Sequence, residues 1–359
     1  MENSRPKFIL NTITAWDEPP RSRHQVAKEL INYGDVYFIT RNIKGKKGFQ
    51  ILKHESITYI IPSWYVDYRL RYRLPIVNEL YQQFLIKIMA TLNLFDGVII
   101  TFDHTAYRLI KKFKRSVYYC SDEHIGNSGI NLALLNRYHF FTEKKICSFV
   151  SICIASSEYL YQKLLRYNNH TYLLPLGAPV FYIPAVYLKK NSRDKIKVCY
   201  VGFMESRKTD NKIIMNIITS GEFEFVVVGK INNHYKKLLY NKAILAGIKK
   251  GNELYNIIQE SDVCIIPYKL SGINKGVTPN KYWLYTSIGK PVVSVNIPNI
   301  TKWPTERGLL YLADRDNFTS VIKKAYAEDS IEKFNNRILY SKENSWEVRI
   351  KKFMSLLEL

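Results

Sequence analysis

Short apolar runs alternate with stretches of helical periodicity along the whole chain. Phe8 to Ile13, Val36 to Thr40, Val98 to Thr101, Ser116 to Cys120 and Val150 to Ala155 read as strands, and Ser22 to Tyr33 as an amphipathic helix. Turn residues then crowd together in Leu174-Pro175-Leu176-Gly177-Ala178-Pro179, and a polar bridge follows at Lys189 to Asp194. Beyond it the pattern restarts. Ile196 to Val201, Phe223 to Val228, Val263 to Pro267 and Val292 to Val295 read as strands; Asp210 to Thr219, Glu253 to Glu260, Asn280 to Ile288 and Asn317 to Ala327 read as helices. Strands alternating with helices imply parallel sheets covered on both faces. The pattern predicts two α/β domains, residues 1–180 and 181–343, and a last segment, 344–359, whose helix Trp346 to Leu357 carries an apolar stripe suited to docking on another surface.

Composition agrees with two cores. Of 359 residues, 47% are hydrophobic and 23% charged, so each half can bury an interior and dominant disorder is excluded. No apolar run approaches the length of about 18 residues that a membrane span needs. The N-terminus lacks the apolar core and cleavage site of a signal peptide, which predicts a cytoplasmic protein. Five widely spaced cysteines, Cys120, Cys147, Cys153, Cys199 and Cys264, predict buried reduced thiols.

The net charge of +22 is spread over both halves, +10 in residues 1–180 and +12 in 181–359, as a surface rich in lysine produces. One stretch stands out. Between residues 41 and 73, Arg41, Lys44, Lys46, Lys47, Lys53, Arg69, Arg71 and Arg73 face only Glu55 and Asp67. Its end, Trp64-Tyr65-Val66-Asp67-Tyr68-Arg69-Leu70-Arg71-Tyr72-Arg73-Leu74, interleaves rings with cations. That mixture suits an anionic membrane surface, and it also suits stacking on nucleic acid; residues 41–74 are read as the membrane-facing segment, in preference to a nucleic-acid site.

Several motifs are missing. The chain has no Gly-x-Gly-x-x-Gly turn, P-loop, His-Glu-x-x-His or Gly-x-Ser-x-Gly. Asp314-Arg315-Asp316 has the spacing of a metal-holding pair, but it lies between a strand-like run and a helix, which predicts that Asp316 caps the helix and that no metal is bound there.

The most informative stretch runs from Pro267 to Val293. A buried strand ends at Pro267-Tyr268, a polar loop (Lys269, Ser271, Gly272, Asn274, Lys275, Gly276) follows, and Thr278-Pro279 opens a helix with Lys281, Tyr282, Trp283 and Tyr285. Gly289-Lys290-Pro291-Val292-Val293 then starts the next strand. A helix start offers free N–H groups and partial positive charge, so Lys281 in the first turn opposes the helix dipole unless an anion sits beside it.

This segment resembles the nucleotide-sugar half of GT-B fold glycosyltransferases, which lead from a Pro-bearing helix start under the donor diphosphate to a Gly-Lys/Arg-Pro-Val-Val strand. Supporting pieces fall in order: Lys197 to Gly202 followed by Arg207 and Lys208, Val226-Val227-Val228-Gly229, and Ser261 to Tyr268. Many retaining members carry two glutamates eight residues apart here; this chain has Gly276 and Leu284. The run Lys281-Tyr282-Trp283-Leu284-Tyr285 is more similar to the xanthan β-glucuronosyltransferase-like group, in which the lysine is associated with the donor. The resemblance implies two Rossmann-like domains facing a cleft, with a terminal helix crossing back to the first. It places the donor on Lys281, Arg207, Lys208, Tyr268, Asn274, Thr278, Asn280 and Tyr285, and it implies a nucleotide-diphosphate sugar as substrate with no metal or other cofactor.

Inverting transfer needs a base for the acceptor hydroxyl and positive charge for the leaving diphosphate. The strand Val117 to Cys120 runs into Ser121-Asp122-Glu123-His124, putting two carboxylates and an imidazole where open α/β sheets bind ligands. By the resemblance Asp122 is the base, with Glu123 and His124 in reserve. Trp16, Arg21, Arg23 and His24, at the start of the first helix, are read as acceptor contacts: two arginines there oppose the helix dipole, which an anion would relieve. The expected activity is sugar transfer to a glycan acceptor, lipid-linked, in bacterial surface polysaccharide synthesis, at the inner face of the plasma membrane. A GT-B nucleotide-sugar 2-epimerase and a non-catalytic basic RNA-binding protein are the alternatives.

Overall fold

The computed structural model describes the chain except residues 1–4, 16, 19, 125–132, 182–184, 189–193, 271–273, 275–276, 301–302 and 358–359. The chain divides into two compact units: Met1–Pro175 with Ile350–Leu359, and Leu176–Arg349.

The first unit holds strands β1 (Lys7–Asn11), β2 (Asp35–Ile39), β3 (Ile43–Lys44), β4 (Gly48–His54), β5 (Ile57–Trp64), β6 (Val98–Thr101), β7 (Arg115–Cys120), β8 (Ile152–Ala155) and β9 (Thr171–Leu173). They form one sheet in the order β3-β5-β2-β1-β6-β7-β8-β9, with β4 added to β5. Every pairing is parallel except the β4–β5 hairpin. Helices α1 (Ser22–Leu30), α2 (Pro75–Thr91), α3 (Tyr107–Ile110), α4 (Ala133–Phe149) and α5 (Glu158–Leu165) connect the strands. Strands such as Val98–Thr101 and Ile152–Ala155 are buried at every position, which is why they read as unbroken apolar runs.

The second unit holds β10 (Ile196–Val201), β11 (Phe223–Val228), β12 (Ile244–Gly247), β13 (Val263–Ile266), β14 (Val292–Val295) and β15 (Tyr311–Ala313), ordered β12-β11-β10-β13-β14-β15 and parallel throughout. Its helices are α6 (Asn211–Thr219), α7 (Asn233–Leu238), α8 (Gly251–Gln259), α9 (Asn280–Thr286), α10 (Phe318–Ala327) and α11 (Ile331–Glu343); α12 (Trp346–Leu356) ends the chain. Caps set several starts: the Asp210 carboxylate accepts from the Lys212 amide at 2.9 Å, and the Ser330 hydroxyl from the Lys333 amide at 3.3 Å. Gly289, at φ +76, lets the chain leave α9 for β14, and Arg337 of α11 donates to its carbonyl at 2.8 Å.

Two expectations change. Asp316 does not cap α10; Asn317 holds that position, while Asp316 pairs with Lys212 at 2.7 Å and Arg315 with Asp210 at 2.7 Å. The stretch 41–74 is not one continuous surface, because β3, β4 and β5 arise within it. Trp64 turns inward against Phe84, ring centres 4.9 Å apart, and Arg71 is buried in an ion pair with Asp103 at 2.7 Å. Ile43, Tyr65, Leu70 and Leu74 stay exposed, joined by Ile76 and Leu80 on α2. All five cysteines are buried and free. Among the described residues no helix is long and apolar enough to cross a membrane.

Candidate active site

In the second unit the ends of three neighbouring strands close on glycines with positive φ: Gly202 (+130°), Gly229 (+128°) and Gly247 (+69°). A Cβ on Gly229 would lie 2.3 Å from the Gly202 carbonyl oxygen, so the two backbones meet with no room for side chains. Beside them opens a cavity of about 640 Å³ lined by Phe203, Ile231, Asn232, Tyr240, Leu245 and Ile248.

Lys281, in the first turn of α9, reaches back to this edge. Its ammonium stands 3.9 Å from the centre of the Tyr200 ring and 4.8 Å from that of Tyr268. Burial, and then the neighbouring Lys208, hold its pKa well below the usual lysine range. Among the described residues it has no carboxylate partner. Two aromatic faces give a cation a partial substitute for water.

Arg207 and Lys208 follow on the loop after β10, both held by one carboxylate: Glu205 meets Arg207 at 3.3 Å and Lys208 at 3.9 Å. The Arg207 side chain is exposed and that of Lys208 half-buried, whereas Glu205 is buried. The loop is fastened to the segment after β13, where the Lys269 amide donates to the Lys208 carbonyl at 2.8 Å and the Asp210 amide to the Pro267 carbonyl at 2.8 Å. Asn274 and Tyr285, predicted as direct donor contacts, are buried and engaged with the chain itself. Asn274 Nδ2 donates to the carbonyls of Lys208 (3.0 Å) and Lys269 (2.9 Å); the Tyr285 hydroxyl accepts the Val201 amide at 2.8 Å, which fixes α9 against the end of β10. Thr278 is nearly buried and Asn280 is exposed at the helix start. Tyr200, Glu205 and the cavity side chains are the parts that sequence patterning missed. Tyr200 looked like one more buried strand position, and Glu205 carried no recognisable spacing.

In the first unit the three residues after β7 separate in role. Asp122 is exposed, and among the described residues its carboxylate has no hydrogen bond or ion pair. Glu123 is not free: both oxygens accept from Lys163, at 3.0 and 3.1 Å. Lys163 also holds the buried Glu143 at 2.8 Å, and Glu143 accepts from the Tyr118 hydroxyl at 2.9 Å. His124 stacks on His104, ring centres 4.2 Å apart and 13° from parallel, and His104 Nε2 hydrogen-bonds His139 Nδ1 at 2.8 Å. His104 and His139 were not foreseen; they come from separate elements, and only the fold brings them together.

Of the predicted acceptor residues, Trp16 lies outside the described residues. Arg21, exposed, pairs with Glu18 at 3.3 Å. Arg23 is buried, with its guanidinium 5.5 Å from the centre of the Phe102 ring. Burial holds its pKa below the ordinary arginine value, and the nearby Asp122 charge works the other way. His24 Nδ1 accepts the Arg21 amide at 3.1 Å and its ring stacks on Phe38. Burial pushes His24 down to about 4, with the Arg23 and Arg21 charges acting in the same direction, while the Ala15 backbone carbonyl, as an acceptor, works the other way.

Two Rossmann-like units, the second with a cationic, glycine-edged strand end, define the GT-B class of folds. Solved structures bear this out along the whole chain. Sucrose-phosphate synthase from Thermosynechococcus elongatus matches with a TM-score of 0.75 at 15% identity, covering 99% of this chain and 98% of its own. HepE from Anabaena, solved in complex with UDP and glucose, matches at 0.66 and 12%, covering 98% and 99%. An α,α-trehalose-phosphate synthase (UDP-forming) from Burkholderia xenovorans, in complex with glucose-6-phosphate, matches at 0.70 and 10%, covering 99% and 100%. No protein-family model and no curated protein matches the sequence. The fold is therefore GT-B.

Proposed function

We propose that this protein is a glycosyltransferase that takes a sugar from a nucleoside-diphosphate donor, UDP-linked in the first instance, and passes it to a glycan acceptor. The observation that carries the reading is Lys281: a lysine ammonium between two tyrosine rings, without a carboxylate partner among the described residues, at the glycine-edged end of a parallel sheet. A departing diphosphate is the ligand this charge fits, and Lys208 and Arg207 add to the field it would meet. The adjoining cavity, largely apolar with Asn232, Lys230 and Lys236 in its wall, suits a nucleobase. The solved structures of HepE with UDP and of the UDP-forming synthase support the donor class.

On this reading Asp122 takes the proton from the acceptor hydroxyl as that oxygen attacks the anomeric carbon from the side opposite the leaving group, so configuration inverts. Nucleoside diphosphate leaves with the bonding electrons of the broken C–O bond, and Lys281 meets its new negative charge. No metal or other cofactor has a part in this scheme. The acceptor is proposed to be lipid-linked, in surface-polysaccharide synthesis, with the enzyme resting on the inner face of the membrane. Exposed Tyr65, Leu70, Leu74, Ile76 and Leu80 with Arg69 and Arg73 support that placement. The testing experiment is thermal stabilisation by a panel of nucleotide sugars: a ligand that binds only the folded chain raises Tm, and Lys281→Ala should remove the rise. A panel in which no nucleotide raises Tm would overturn the reading.

A further inference from the structure

Three arginines are buried among the described residues, Arg23, Arg71 and Arg337, and they differ in one respect. Arg71 meets Asp103 at 2.7 Å and donates to the Tyr72 hydroxyl at 2.7 Å. Arg337 bonds through all three nitrogens, to the carbonyls of Gly289 and Gly308 and to Asp329. Arg23 is only 5% exposed, yet Nε and Nη1 have no hydrogen-bond partner. An unpaired buried guanidinium is costly, and folds avoid it unless something else meets the charge. The side chains around it meet the charge only in part: the Phe102 ring lies 5.5 Å from the guanidinium, Glu18 is engaged by Arg21 and Arg41, and the exposed Asp122 acts on Arg23 by its charge without a hydrogen bond to it among the described residues. Arg23 sits in the first turn of α1, which has no acidic residue there and whose Arg21 N-cap has no side-chain cap. The helix dipole therefore adds to the local positive charge.

We propose that Arg23, with Arg21 and the start of α1, is a subsite for a phosphate group on the acceptor, so that the sugar receiving transfer carries a phosphate or diphosphate near its reacting hydroxyl. The inference rests on the first unit being the acceptor side of a transferase, and Asp122 ties the two together: it is the proposed base, and it is close enough to Arg23 for its charge to be felt there. A guanidinium fork matches phosphate oxygens two at a time. The same chemistry is offered by a soluble sugar phosphate and by a polyprenyl diphosphate sugar.

The test uses the full chain carrying Lys281→Ala, which removes the proposed donor lysine as a competing phosphate site. Inorganic phosphate, glucose 1-phosphate, glucose 6-phosphate and a polyprenyl diphosphate in detergent micelles are each titrated while Tm is read. At least one should raise Tm, and adding Arg23→Met should weaken that ligand at least tenfold. Arg23→Met should also raise the ligand-free Tm, because it deletes an unpaired charge; loss of a structural arginine would lower it. Arg23→Lys should bind in between. A response from either glucose phosphate assigns a soluble acceptor; a response confined to the micelles assigns a lipid-linked one. No response to any of the four, an equal response without Arg23, or an Arg23→Met chain that melts lower or fails to fold would each overturn the proposal. UDP binding to the wild-type chain, read separately, reports the donor site alone.

Discussion

The Lys281 ammonium lies 3.3 Å from where a Cβ on Gly202 would stand. Gly202 also holds φ at +130°, a conformation L residues rarely adopt. Gly202→Ala therefore acts twice, by straining the backbone at a cost of roughly 1–3 kcal/mol and by pushing a methyl group against the cation. Nucleotide affinity should fall at least tenfold in calorimetric titration. Gly221, at φ +75° with nothing within 4 Å of its added Cβ, separates the two effects. Gly221→Ala should lower Tm and leave nucleotide affinity unchanged.

Lys281 also predicts a proton taken up on binding. Its folded pKa is depressed, by burial first and Lys208 second, so the free protein holds less of that proton than an ordinary lysine would. A diphosphate beside it favours the charged form and pulls the pKa back up. Binding between the depressed value and the usual lysine range should therefore absorb protons. Calorimetry in two buffers of different ionisation enthalpy reads the number directly, and Lys281→Met should abolish the uptake. For the free protein the sign is the same: with the folded pKa below the unfolded one, stability gained from this group rises with pH across that window.

Much of this architecture could be read from the chain. Val98–Thr101, Ile196–Val201, Phe223–Val228 and Val292–Val295 form strands with the predicted limits, since strands inside a parallel sheet keep an apolar signature even where Lys197 and Glu224 interrupt it. The hairpin of β4 and β5 was hidden by its own charge: β4 is mostly exposed, and its lysine and histidine mask the period of two. Helix α11 was hidden by Arg337, a core residue disguised as a surface one. At the site, Lys281 stood out because a cation at a helix start contradicts a local rule. Tyr285 and Asn274 did not declare whether they face a ligand or the chain, because a polar side chain looks the same in sequence either way.

The two carboxylates after β7 should behave differently. Asp122→Asn removes the proposed base and should lower turnover about 10²–10⁴-fold with nucleotide binding kept, measured by nucleotide release with donor and acceptor supplied. Glu123→Gln should retain turnover within a few-fold, because Glu123 is held by Lys163. Equal losses in the two variants would remove the distinction.

Lys163 itself should matter for folding. Its ammonium lies between Glu123 and Glu143, whose side chains are 15% and 2% exposed. Lys163→Met leaves Glu143 buried with a hydroxyl and a thiol as its neighbours, and breaking such a buried pair costs roughly 3–5 kcal/mol. Replacing Glu143 with Gln in the same chain should recover part of that loss, read by denaturant titration.

His24 gives the fold an acid-sensitive point. Burial holds its imidazole down to about 4, against an ordinary value of 6.5, so the folded chain keeps it neutral where the unfolded chain is already protonated. The unfolded state then binds more protons between pH 6.5 and about 4, and stability must fall as pH drops through that window. The full shift corresponds to roughly 3 kcal/mol as an upper figure, at 1.36 kcal/mol per unit. The acid side also works against Arg21 and Arg23, since a proton on His24 would place a third positive charge at the start of α1. His24→Asn keeps an acceptor for the Arg21 amide and removes the titration. Its denaturation midpoint should vary less with pH than the wild type's between 6.5 and 4 and run parallel to it above 7; parallel curves throughout would show that His24 is protonated in the folded chain.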